Sequence, residues 1–176
     1  MIPVPPSLRR IAEEIDGWLD LKCPERALVR IDALLAHEGG RHVGLAMRIR
    51  AYVALARHRE ALADIEELRE VVEARDWLDL CEAWCRKRLA DLPGAIRCME
   101  RLVQRNPKSD IGHFNLGCYL ALAGELGRAI DEVTIACGLD DELRDLARNE
   151  PDLDSLRADS RFRALMRTQP PASERD

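Results

Sequence analysis

At 176 residues with 47% hydrophobic side chains, the chain is long enough for one sizeable core or a short array of smaller ones. Aromatics are 4%, and alanine and leucine dominate, a composition that favours helices over strands. The 27 basic and 32 acidic residues are interspersed, with a formal charge of -5, so no basic block offers itself to a nucleic-acid backbone and no nucleic-acid partner is expected.

The opening MIPVPPSLRR lacks the apolar region of a secretory leader, and no apolar run reaches the roughly 18 residues of a membrane span. A cytoplasmic location and no membrane partner are the expectations. Residues 1–7 read as a proline-stiffened lead-in, with Ser7 a candidate N-cap. Leu8, Ile11, Ala12, Ile15, Trp18 and Leu19 then stripe one helix face. Pro24 suits the first turn of the next helix, where its missing N–H costs nothing. Ala27, Leu28, Ile31, Leu34 and Leu35 make that helix, and Gly39-Gly40 closes it with residues tolerant of positive φ.

The plan recurs. Leu45, Ile49, Tyr52 and Val53 stripe one helix of the second unit, and Ala61, Leu62, Ile65, Leu68 and Val72 stripe the other. The third unit ends on Ala95, Ile96, Met99 and Leu102, with Pro107 as a stop. Its first helix is irregular. Counting back from Ala95 puts Asp79, Glu82 and Arg86 at apolar positions, whereas Trp77, Leu80, Cys81, Trp84 and Cys85 form an apolar stripe displaced by two residues. The expectation is a longer helix in a shifted register, with Trp77 and Trp84 open to two readings, core or groove. The fourth unit, Asp110 to Leu143, places small residues at Gly117, Gly124, Ala129 and Ala136. After it, Leu146 extends a helix that Pro151 stops, and Leu153, Leu156, Phe162, Leu165 and Met166 point to two short helices.

Ala27, Ala61, Ala95 and Ala129 stand at a constant spacing of 34 residues. With Leu116-Gly117, Gly124 and Ala136, this pattern resembles the tetratricopeptide repeat, a pair of antiparallel helices with a period of about 34 residues. The segment from Ala147 to Phe162 is similar to the terminator of many bacterial arrays of that family. The resemblance implies an all-α, right-handed α-solenoid of four repeats, 8–41, 42–75, 76–109 and 110–143. Capping helices over 144–168 would cover the last apolar face, leaving a flexible tail at 169–176.

It implies further a concave groove lined by the first helix of each pair, where a protein or peptide segment docks. Carried over by register, the groove positions are Val43, Ala46, Arg50 and Val53, then Ile111, Phe114, Cys118 and Ala121. The family's carboxylate clamp of Lys and Asn is absent: its positions hold Ala12, Asp16, Ala46, Arg50, Phe114 and Cys118. Trp77 and Trp84, with Arg50, Lys87 and Arg88 on a basic rim, would favour an acidic-apolar ligand.

Chemistry is thinly represented. The six cysteines contain no C-x-x-C pair, the four histidines form no H-x-x-x-H pair, and Cys81 with Cys85 lacks the further ligands of a tetrahedral site. Buried thiols are expected, with no metal and no cofactor. No phosphate loop, nucleophile elbow or H-E-x-x-H appears, so no catalytic residue is assigned and the chain is not expected to be an enzyme. The expected role is a non-catalytic interaction module, a scaffold, adaptor or co-chaperone. A self-associating homodimer is the alternative, and a metal or thiol-redox protein built on Cys81, Cys85 and Cys118 the third reading.

Overall fold

The structure, a computed structural model, describes residues 4–73 and 76–167. The start of the lead-in and the expected flexible tail at 169–176 lie outside the described residues. Among those described there is helix and turn but no strand. Ten α-helices follow in order: α1 Arg9–Asp20, α2 Pro24–Leu35, α3 Arg41–Ala54, α4 His58–Arg69, α5 Asp76–Arg88, α6 Leu92–Arg105, α7 Asp110–Leu122, α8 Leu126–Leu139, α9 Glu142–Asn149 and α10 Ser160–Arg167. A 3-10 turn, Pro6–Leu8, precedes α1, and a 3-10 segment, Pro151–Leu156, joins α9 to α10. The chain divides into two compact units, 1–91 and 92–176, with the boundary between α5 and α6. No helix among the described residues is long and apolar enough to cross a membrane.

The turns carry the period more faithfully than the cores do. Lys22, Ala56, Ala90 and Gly124, spaced by 34 residues, are the positive-φ residues that follow α1, α3, α5 and α7. At each, the N–H two residues past the helix cap reaches back to the same carbonyl: Cys23 to Trp18 at 2.8 Å, Arg57 to Tyr52 at 2.8 Å, Asp91 to Arg86 at 2.9 Å and Glu125 to Leu120 at 2.9 Å. This is a Schellman turn, which satisfies the last helical carbonyls and reverses the chain into the next helix. Glycine fits its left-handed residue, yet only the fourth turn has one; a side chain there costs about 1–2 kcal/mol. Ala56→Gly and Ala90→Gly are therefore expected to stabilise the chain by about 0.5–1 kcal/mol each, after glycine's larger folding entropy, and to raise the melting temperature by about 2 °C each.

In the first unit two apolar clusters sit between the helices. Leu8, Ala12, Ile15, Ala27, Ile31, Leu34, Val43, Met47 and Ala51 form one, and Leu45, Ile49, Ile65, Leu68 and Leu78 form the other. Ala27, Ala61, Ala95 and Ala129 are all 0% exposed, as their spacing implied. Between α2 and α3 only Gly39 has positive φ, at 74°. Gly40 is needed for space instead: a Cβ on it would lie 2.1 Å from the Leu34 carbonyl oxygen.

The expected register shift in the third repeat is corrected. α5 is 13 residues long, no longer than α7, and buries Leu78, Asp79, Glu82 and Ala83, with the unshifted Asp79 and Glu82 among them, together with Cys85 of the displaced stripe. Trp84, expected on the apolar stripe, is 39% exposed. The carboxylates tolerate burial because they are paired. The Arg69 guanidinium donates to Asp79 at 2.6 Å and to Glu82 at 2.8 Å, and Arg86 donates to Glu82 at 2.8 Å and to Asp91 at 2.7 Å. Ion pairs also span each of the two earlier helix pairs at a separation of 16 residues, Arg30–Glu14 at 2.8 Å and Arg48–Asp64 at 2.7 Å.

In the second unit α7 is buried on nearly every side. Gly117 lets it approach α8, since a Cβ there would meet Val133 Cγ2 at 2.6 Å and the Ala129 carbonyl oxygen at 3.1 Å. Buried His113 holds Glu132 of α8 through Nδ1 at 2.5 Å and the Pro107 carbonyl through Nε2 at 3.1 Å. The 3-10 segment Pro151–Leu156 packs onto α7 with Leu153 and Leu156 fully buried, and the Ser155 hydroxyl donates to the Ala121 carbonyl at 3.4 Å.

Candidate functional site

A cavity of about 370 Å3 opens in the first unit among residues of α1, α3 and α5. Its wall is apolar: Val43, Ala46 and Met47 from α3, Trp77 from α5, and Val4 from the lead-in. Two charged residues, Asp16 of α1 and Arg50 of α3, stand at its rim. The helix repeat produces this geometry. Val43 and Trp77 are 34 residues apart, as are Asp16 and Arg50, so each pair occupies equivalent places on successive first helices.

The structure thus brings four of the expected groove residues, Val43, Ala46, Arg50 and Trp77, around one space. Val43 is buried in the first cluster, and Trp77 and Ala46 pack against the second while still lining the cavity. Val53 is part of the second cluster's edge and does not line it. Trp84 lies outside the cavity with the Arg88 guanidinium 4.4 Å above its ring, a stacked cation that shields the indole face. Lys87 is half-buried on the same helix.

The basic rim is altered at its centre. Arg50 hydrogen-bonds Asp16 and approaches Asp20 at 3.7 Å, so two carboxylates flank one guanidinium. That end of the cavity does not offer an unpaired cation to an acidic ligand. The Asp16–Arg50 pair was legible in principle, as opposite charges one repeat apart. Val4 and Met47 were missed: nothing in the proline-rich opening says where it packs, and Met47 sits among core residues.

In the second unit the expected positions fare differently. Ile111 is exposed, whereas Phe114 and Cys118 are each 3% exposed. They lie on the helix over which the 3-10 segment Pro151–Leu156 folds back. A buried side chain presents no docking surface in this arrangement.

The thiols are built for packing. Burial pushes the Cys81 thiol up against the opposing pull of Arg50, and burial with the nearby Cys81 and Glu82 pushes Cys85 up to about 11. A reactive or metal-binding cysteine needs the opposite shift, toward thiolate. Cys137 is also raised, chiefly by burial. Among the described residues no three His, Cys, Asp or Glu side chains converge as a metal site would require.

No protein-family model matches the sequence, and no curated protein matches it. Three solved chains do. MamA, as an RS-1 ArsTM double mutant, is similar with a TM-score of 0.72 at 15% sequence identity, over 94% of this chain and 97% of that one. YrrB, a TPR protein with an unusual peptide-binding site, is similar with a TM-score of 0.69 at 17% identity, over 88% of this chain and 80% of that one. At such identities the likeness speaks for fold alone, and it agrees with the turns, the buried alanines and the helix pairs: the chain has the tetratricopeptide-repeat fold.

Proposed function

We propose that the chain is a non-catalytic interaction module that takes a segment of a partner protein in the cavity of its first unit. The observation that carries this is the apolar, open space between Val43, Ala46, Met47 and Trp77, with a paired Asp16–Arg50 at its edge. Binding would draw on apolar burial at about 25 cal/mol per Å2, with the tryptophan as anchor. The flanking charges, two carboxylates around one guanidinium, set orientation and encounter rate more than affinity. YrrB, which shares the fold, is a peptide-binding TPR protein, and this supports the same class of ligand here. Scaffold and adaptor roles both follow from such a site, and a cytoplasmic setting is part of this proposal.

Ala46→Arg tests it. A long charged side chain at this small, half-buried position would fill the cavity without removing core contacts. With an unchanged melting curve, it is expected to reduce capture of co-purifying proteins by the full chain at least tenfold. An identical set of captured proteins, at equal yield, overturns the reading. The competing reading, a homodimer, draws on Ile135 and Leu139, exposed one turn apart on α8. Light scattering coupled to size exclusion gives a single-chain mass if the module reading holds.

A further inference from the structure

We infer that the lead-in at Val4–Pro5 is an intramolecular occupant of this cavity and displays the class of segment taken there in trans, an extended stretch with an aliphatic residue directly before proline. The inference rests on the reading that the cavity is the docking site. Val4 forms part of the cavity wall beside Val43, Met47 and Trp77, and packs against the first apolar cluster. It stays half-buried, unlike the 0% exposure of Ile15 or Ile31 beneath it, so it is seated without being sealed in.

The backbone around it has the matching form. Pro5 has φ -54° and ψ 141°, the polyproline II conformation, and proline also biases Val4 before it toward extended geometry. The Pro5 carbonyl accepts the Leu8 N–H at 2.9 Å, which ties the segment to the start of α1. Pro5 Cγ lies 3.9 Å from where a Gly39 Cβ would stand, so the proline ring sits over the α2–α3 turn. Val4 and Trp77 line the same cavity, with Pro5 beside it at the α2–α3 turn; docking of an extended, proline-stiffened strand in an aromatic-lined groove is a recurring mode of peptide recognition, because such a strand loses little entropy on binding. Arg50 is already engaged by Asp16 and Asp20 at the rim, so no free cation draws in an acidic side chain, and a neutral apolar one enters at lower desolvation cost than a charged one. Cavity space remains with Val4 in place, about 370 Å3, enough for the side chains of a longer segment.

The probe is a fluorescent acetyl-Pro-Val-Pro-Pro-Ser-amide peptide, followed by anisotropy against the full-length chain. If the lead-in holds the cavity for about nine-tenths of the time, the Val4→Asp chain binds the peptide about tenfold more tightly than wild type. Adding Ala46→Arg abolishes that binding, and a peptide with aspartate in place of valine does not bind. Equal affinity for wild type and folded Val4→Asp, no binding to folded Val4→Asp, or binding that survives Ala46→Arg, each overturns the inference. Should Val4→Asp unfold the chain, Val4→Gly replaces it, with a gain of severalfold expected and no gain counting against. If the peptide fails while Ala46→Arg still abolishes partner capture, the docking site stands and the lead-in is merely part of its wall. If capture is also indifferent to Ala46→Arg, the docking site itself falls.

Discussion

Arg69→Met is expected to cost about 3–5 kcal/mol and to lower the melting temperature by about 10 °C, read by circular dichroism and urea titration. Arg69 bridges two helices of the first unit, from the end of α4 to Asp79 and Glu82 on α5. Asp79 is 0% exposed, so its carboxylate is separated from water and leans on its donors. Removing a guanidinium that hydrogen-bonds two buried carboxylates leaves charge in a poorly solvated place, which is the expensive half of a buried ion pair. The pair's net worth is a different quantity. Replacing the set together, as Arg69→Met with Asp79→Leu and Glu82→Leu, is expected to recover most or all of the loss, because packed aliphatic groups need no partner. Arg30→Met is the control: its partnership with Glu14 is exposed on both sides and is worth less than about 1 kcal/mol. If Arg69→Met behaves like Arg30→Met, the network is not what permits acidic residues at core positions of the third repeat.

Gly117→Ile is expected to destabilise the second unit by about 3 kcal/mol, the upper end of ordinary overpacking. The substitution restores the residue type that the first two repeats carry at the equivalent place, Ile15 and Ile49, both fully buried. In the fourth repeat the same atoms have nowhere to go. The first added carbon would already stand 2.6 Å from Val133 Cγ2 and 3.1 Å from a backbone oxygen of α8. Gly117→Ala sets a helix-propensity gain of about 1 kcal/mol against that contact. A net loss of about 1 kcal/mol is expected, since the Ala129 carbonyl cannot move without its helix. Gly117→Ala with Val133→Ala separates the contact from the cavity it leaves, and a double-mutant cycle reads their coupling. Equal stability of Gly117→Ile and wild type would mean that the two helix axes part freely.

The two predictions mark where local pattern and packing diverge. The spacing from Ala27 to Ala129 anticipated a succession of helix pairs, because chain reversal and helix crossing recur with the repeat. The left-handed turns at Lys22, Ala56 and Ala90 obey the same period with no glycine to announce them; hydrogen bonds to the helix end hold them. In α5, by contrast, the apolar stripe is only partly followed: Cys85 is buried and Trp77 and Cys81 pack against the second cluster, while Trp84 is exposed and Asp79 and Glu82 are buried. Hydrophobicity alone assigns carboxylates to solvent, and their burial depends on Arg69, which lies on another helix and reaches Asp79 only in the folded unit.

The candidate site divides in the same way. Val43, Ala46 and Arg50 could be named from the repeat because equivalent positions on successive first helices share a face, whereas Trp77 came from an aromatic stripe open to a core or a groove reading. Repeat register does not say what else lies on that face. Folding seats Val4 beside the cavity, clasps Arg50 between Asp16 and Asp20, and buries Phe114 and Cys118 on the helix that the Pro151–Leu156 segment covers. The amino-acid sequence by itself determined the helix pairs and their period, since these depend on residues close along the chain. Which parts of the groove stand open, and with what charge, only the tertiary structure decided, because a face is covered or neutralised by groups whose approach no local spacing encodes.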